Sequence, residues 1–203
     1  MDTAGHASPR FAYPVVLDLA ELPVLVVGGG RIGARKADGL AAAGARVRLV
    51  ATVVSPHVDR AAVDEVREHA FVDDDLDDVR LVVAATGDEA TDRRISAAAR
   101  RRGVWTNAAD QPVDCEFILP AIARTGRVTV TVSTDGASPA LARELRNVID
   151  ELLLTDGLAA LAETLASERR AVQTTGASTE DIDWTARVRA GIAEATGGRS
   201  LGE

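Results

Sequence analysis

Val24-Leu25-Val26-Val27-Gly28-Gly29-Gly30-Arg31-Ile32-Gly33-Ala34-Arg35-Lys36-Ala37 is the stretch on which the fold turns. The apolar run Val24 to Val27 empties into three glycines, which is how a buried strand ends in a turn. Helix formers continue from Ile32 to Ala43, Gly44 stops them, and a second strand is expected from Val47 to Val50. Strand, turn, helix and strand make one βαβ unit. Inside it Gly28, Gly30 and Gly33 stand as G-x-G-x-x-G. The first permits the tight turn, the second lets a pyrophosphate approach the backbone, and the third lets helix and strand pack closely. The helix N-terminus, with Arg31 and Ile32, faces the anion. The same string would also serve a turn that merely packs a helix against a sheet.

About 20 residues further on, where a ribose-binding carboxylate is usual, stand Val50, Ala51 and Thr52. Ribose binding then falls to Thr52 and the backbone around Val53, which favours NAD. Arg46 and Arg48 would instead favour the 2′-phosphate of NADP.

Outward from this unit, Ser55-Pro56 predicts a helix running toward His69, with a short third strand from Ala70 to Val72. A fourth strand is expected from Leu81 to Ala85, a helix with alanines on one side from Asp88 to Arg102, and a fifth strand from Val104 to Ala108. This alternation argues for a Rossmann-type, doubly wound α/β fold with a parallel sheet covered on both faces. Ala84-Ala85-Thr86-Gly87-Asp88 sets Thr86 beside the expected cofactor crevice, or simply ends the strand in a helix cap.

The rhythm changes beyond Asp110. Phe117 to Ile122 and Arg127 to Ser133 read as an antiparallel pair joined through Thr125-Gly126. Ser138-Pro139 opens a helix carrying Leu141, Leu145, Val148, Ile149 and Leu152. The last fifty or so residues read as helical, with a break at Gly176 to Thr179 and a frayed tail from Gly197.

Composition sets the outer limits. At 203 residues, 46% hydrophobic and 27% charged, the chain is globular rather than disordered. No apolar run approaches the ~20 residues that span a bilayer, and Met1 to Arg10 lacks the pattern of an export signal, so an unexported, cytoplasmic protein with no membrane partner is expected. A net charge of −8 and 3% aromatics give no basic field or stacking platform, so no nucleic-acid partner is expected. The lone Cys115 excludes an internal disulfide and reads as a small buried group. His6, His57 and His69 lack metal-ligand spacing, so no dedicated metal site is expected. Lys36 is the single lysine and Asp73, Asp74, Asp75, Asp77 and Asp78 cluster, a bias that fits a high-salt host or a GC-rich genome.

Further strings add specificity to the glycine motif: Ala84-Ala85-Thr86, Asn107-Ala108-Ala109-Asp110, Phe117-Ile118-Leu119-Pro120-Ala121, and Gly136-Ala137-Ser138-Pro139-Ala140-Leu141-Ala142-Arg143. In this order, from about Tyr13 to Leu153, the chain resembles the siroheme-synthase N-terminal family of precorrin-2 dehydrogenases, some of which are also sirohydrochlorin ferrochelatases. The resemblance implies a Rossmann domain over residues 1–113, a homodimerisation segment over 114–153 and a small helical domain over 154–203. It implies oxidation of precorrin-2 to sirohydrochlorin with NAD, in siroheme biosynthesis, and in bifunctional members Fe2+ insertion.

Asp110 aligns with the aspartate that the family uses as general acid/base, and Asn107 is placed to orient substrate or cofactor, or simply to end its strand. Thr134 stands where some members carry an active-site serine, and Asp135 replaces what is often glycine. A tetrapyrrole bears many carboxylates, for which Arg124, Arg127, Arg143 and Arg146 are the candidate partners. Two other readings stay open: a non-catalytic NAD- or tetrapyrrole-binding module, and a chelatase lacking dehydrogenase activity.

Overall fold

The computed structural model describes residues 10–197; His6 and the tail beyond Gly197 lie outside them. These residues form two compact units, the first ending at Ile118 and the second opening at Leu119.

The first unit holds β1 (Pro23–Val27), α1 (Arg31–Ala42), β2 (Arg46–Val50), β3 (Glu65–Arg67), β4 (Leu81–Ala84), α2 (Glu89–Arg101) and β5 (Trp105–Ala108). All five strands are parallel, in the order β3-β2-β1-β4-β5. The strand pattern explains the two-faced core. Val24 and Val26 of β1 pack with Val47, Leu49, Leu81 and Val83 under Ala34 and Ala37 of α1. Leu25 and Val27 point the other way, with Val82 and Ala84 against Ile95, Ala98 and Ala99 of α2. Period-two strands covered by a helix on each face are the doubly wound arrangement. The order reverses between β1 and β4, and there the C-terminal strand ends open a crevice.

Gly44, at φ +85°, closes α1 as its residues predicted: its N–H donates to Ala41 O, and Ala45 N–H reaches back to Leu40 O.

Between β2 and β4 the structure departs from expectation. Residues 55–69 form no helix, and the third strand is Glu65–Arg67 rather than Ala70–Val72. The Ser-Pro signal starts only a turn, in which Val58 N donates to Ser55 O. Pairing with the free edge of β2 then takes over, with Arg48, Leu49 and Val50 opposite Glu65, Val66 and Arg67. Asp64 anchors the register by accepting from Val47 N at 2.7 Å. At 70–72 the buried Asp75 carboxylate accepts from Val72 N and from Arg67, turning the chain into a 3-10 turn instead of a strand.

The second unit pairs β6 (Ala121–Thr125) with β7 (Val128–Val132) in an antiparallel hairpin through Gly126, at φ +52°. The expected strand from Phe117 begins later, beyond Pro120, because the Phe117 carbonyl is bound by Asn107. The helices α3 (Pro139–Leu153), α4 (Asp156–Thr174) and α5 (Thr185–Ala195) follow. The α3 helix packs on the hairpin, and α4 packs on α5. Ser138 and Thr155 cap α3 and α4 through their hydroxyls.

Candidate functional site

The glycine turn follows β1 directly at the crevice. Gly28 N–H continues the ladder to Val50 O at 2.8 Å, and Ala85 N–H donates to Val27 O at 2.8 Å, so the turn is held between β2 and β4. Each glycine has its own reason. A Cβ on Gly28, at φ +125°, would lie 2.1 Å from Ala85 O, and one on Gly33 would lie 1.9 Å from Gly28 O. A Cβ on Gly30 would meet nothing within 4 Å, leaving an open ledge above the turn. Gly29 sits under Val53 O, and Ser55 N–H donates to Gly29 O, so the segment with exposed Thr52 and Val53 folds onto the turn.

No side chain caps α1 and no acidic residue stands in its first turn, whereas Asp88 caps α2. Arg31 and Ile32 are exposed at this N-terminus. Open ledge, uncapped helix start and missing acid are what a pyrophosphate needs. The residues present therefore fit a dinucleotide. Arg46 and Arg48 are engaged within the protein: Arg46 donates to Glu21 O, and Arg48 is paired with Glu65 at 2.6 Å.

Across the crest, Thr86 follows β4, with both its N–H and its hydroxyl turned to Asp92 at 3.1 and 2.7 Å. Asp92 is 2% exposed, and burial pushes its carboxyl above the usual carboxylate range, with Asp88 adding to the shift and the Thr86 bonds opposing it. Asp110 follows β5, exposed and in the left-handed region at φ +60°. Asn107 is buried, its amide donating to Phe117 O at 3.0 Å.

The Asp110 loop closes around Cys115. Its sulfur accepts from Ala108 N at 3.2 Å and lies 3.3 Å from the carbonyls of Ala108 and Gln111. Burial raises its thiol, which suits a packed neutral group and not a nucleophile. The Lys36 ammonium, half-buried on α1, is held below its usual range by desolvation and by Arg35, while Asp110 and Cys115 pull the other way.

Sequence reading missed Lys36 and Asp92 as parts of the crest. Asp92 was visible in principle, since residues 92, 95, 96 and 99 share the buried face of α2 at helical spacing.

The remaining candidates lie in the second unit. Thr134 Oγ1 accepts from Ser138 N at 3.0 Å in the turn before α3, beside Asp135 at φ +52°. Arg127 is paired with Glu163 at 2.6 Å. Arg124 and Arg143 are exposed, with no side-chain partner among the described residues, and Arg146 Nε is buried without one. Among the described residues no group of three or more His, Cys, Asp or Glu side chains is set to hold a metal ion, and no helix is long and apolar enough to cross a membrane.

Sheet order, glycine turn and open helix start define a Rossmann dinucleotide-binding protein. Residues 15–121 match the model of the family described as "Putative NAD(P)-binding". The chain belongs to that NAD(P)-binding family, and its relatives are those to which its resemblance to the siroheme-synthase N-terminal family pointed. It is 40% identical over 164 residues to a siroheme synthase of Methylococcus capsulatus, covering 79% of this chain and 34% of the relative. It is 42% identical over 144 residues to siroheme synthase 1 of Yersinia enterocolitica, covering 69% and 30%. The chain thus spans about a third of the length of these relatives. Among solved structures, "SirC, precorrin-2 dehydrogenase" superposes with a TM-score of 0.70 at 25% identity, covering 90% of this chain and 98% of that one.

Proposed function

We propose that this protein is an NAD-dependent precorrin-2 dehydrogenase that makes sirohydrochlorin in siroheme biosynthesis. The observation that carries the reading is a carboxylate, Asp110, displayed at the crest of a dinucleotide fold whose Gly30 ledge stands open. The relationship to siroheme synthases and the likeness to SirC support the choice of substrate.

When bound, NAD+ supplies the hydride acceptor. The chain's own residues do the rest. The backbone of Gly28, Gly30, Arg31, Ile32 and Gly33 holds the pyrophosphate, and Thr52 and Val53 lie against the adenosine ribose. Thr86 and Asn107 keep the ends of β4 and β5 in place, and Asp110 accepts the proton that leaves the macrocycle. Arg124 and Arg143, whose guanidinium groups have no side-chain partner among the described residues, take substrate carboxylates; Arg127 would have to leave Glu163 to do so. Thr134 keeps a hydroxyl hydrogen to donate from its turn. The Arg46 and Arg48 pairings favour NAD over NADP. Insertion of Fe2+ as a second substrate would use the same Asp110 as acceptor of the pyrrole protons.

A homodimer completes the reading. The α3 helix leaves Leu141, Leu145, Val148 and Leu152 between 44% and 51% exposed, and Ile122 of β6 is 41% exposed, an apolar stripe suited to a second copy. The single thiol, with no disulfide, suits the reducing cytoplasm.

Incubating the protein with precorrin-2 and NAD+ tests the proposal. Growth of sirohydrochlorin absorbance that the Asp110→Ala variant loses while still binding NAD+ supports it. An inert wild-type protein, or a variant of undiminished turnover, overturns it.

A further inference from the structure

Asp92 breaks the rule of its own surroundings. It lies in the first turn of α2, on the buried face shared with Ile95, Ser96, Ala98 and Ala99, and no cation is paired with it among the described residues. A carboxyl kept in such a place against the cost of desolvation calls for a use that packing does not supply.

Its hydrogen bonds run between two loops. Oδ1 accepts from Thr86 N and Thr86 Oγ1, at the end of β4, and Oδ2 accepts from Gln111 Nε2 at 3.4 Å, beyond the end of β5. Gln111 is the residue after Asp110. Among the described residues its buried Oε1 has no hydrogen-bond partner, and the bond to Asp92 is the one polar hold on that side chain. Asp110 itself sits at φ +60°, in the left-handed region that aspartate enters more readily than most non-glycine residues, so the direction of its carboxylate is set by the turn it belongs to.

We propose that Asp92 and Gln111 are positioning residues for Asp110. The buried carboxyl ties the loop after β4 to the loop after β5, and through Gln111 it fixes the turn that presents the Asp110 carboxylate. Asp92 does not touch the reacting atoms; it holds the strand ends at one spacing. This rests on the function proposed above for Asp110.

A double-mutant cycle tests it, at a temperature well below the unfolding of the least stable variant. Asp92→Ala and Gln111→Leu should each lower kcat for precorrin-2 oxidation by about tenfold, within the range that small misplacements of a reacting group produce, with the KM for NAD+ little changed. The double variant should fall no further than either single one, because both remove the same tie. Asp92→Asn should recover most of the loss, since its amide oxygen still accepts from Thr86 and its NH2 can donate to a turned Gln111 carbonyl.

A second readout needs no substrate. The backbone amide resonances of Ala109 and Asp110 should shift in both single variants, and the double variant should add nothing. Lower thermal stability with unchanged kcat and unmoved Asp110 resonances overturns the proposal, as do fully additive losses. If the wild-type protein does not oxidise precorrin-2, the function proposed for it fails by itself, while the resonance cycle still decides whether Asp92 and Gln111 hold the Asp110 turn.

Discussion

At the scale of single residues, the glycines of the turn separate fold from binding. Gly33→Ala drives a methyl to 1.9 Å from the Gly28 carbonyl, and neither backbone can yield without lifting α1 from β1. A loss of about 3 kcal/mol of stability is expected, the upper end of what overpacked cores show, read as a lowered denaturant midpoint. Gly30→Ala has open space and a negative φ of −80°, so the fold should keep its midpoint within about 1 kcal/mol, the ordinary span of surface changes. Its methyl occupies the ledge instead, and titration calorimetry should show NAD+ affinity reduced at least about tenfold, or 1.4 kcal/mol. A Gly30→Ala variant that binds NAD+ as the wild type does would remove the ledge from the site. Asp110 calls for different care. At φ +60° the side chain matters to the backbone as well as to the chemistry, so Asp110→Asn, which tolerates that region, is the cleaner partner to Asp110→Ala.

Among elements, the loop between β5 and Leu119 shows how a buried thiol shapes a site. Cys115 sulfur collects contacts from Ala108 and Gln111 and stands 3.7 Å from Asn107 Nδ2, so the chain bearing Asp110 is wound around one atom. Cys115→Ser keeps a donor and acceptor there and should cost little, whereas Cys115→Leu must push the loop outward and should lower both kcat and the melting temperature; equal behaviour of the two variants in those measurements would sink this account. The elements differ in how far sequence betrays them. The β1-α1-β2 and β4-α2-β5 units could be read because apolar periods of two and 3.6, glycine stops and the Asp88 cap all act within a few residues. The segment after Ser55 could not, because its outcome depends on pairing with the free edge of β2, 17 residues earlier in the chain than its partners, and on Asp64 and Asp75, whose roles exist only once the strands have met. The same distinction runs through the site. Gly28, Gly30 and Gly33 declare themselves by local geometry, and Asp110 by the family resemblance and its place after a strand; Asp92, Lys36 and the spent amide of Asn107 are set by contacts across the fold.

For the whole molecule, the buried Asp92 makes stability depend on pH in a definite direction. Its folded value lies above the ordinary 3.8, so the folded state holds the proton more tightly than the unfolded chain does. Stability from this group is present below 3.8 and is lost as pH rises through the folded value. Asp92→Asn, which carries no charge at any pH, should therefore melt above the wild type at pH 7, with the gap narrowing as pH falls toward 4. Calorimetric melting across that range checks it, and a gap that widens on acidification would reverse the assignment.

Association acts at this scale too. For a chain of net charge −8, the polycarboxylate substrate proposed above would call for local positive charge, and Arg143, unpaired among the described residues, lies on α3, the helix that carries the apolar stripe. Substituting Leu145→Glu places a charge in the middle of that stripe, at a position already 44% exposed in the single chain, so the protomer itself loses little. In a dimer the same charge would be buried without a partner, which is costly enough to dissociate an ordinary interface. Light scattering should report twice the 21.2 kDa chain mass for the wild type and a single chain mass for the variant, with the melting temperature becoming independent of protein concentration. A wild-type protein that scatters as one chain would leave the α3 stripe to some other partner.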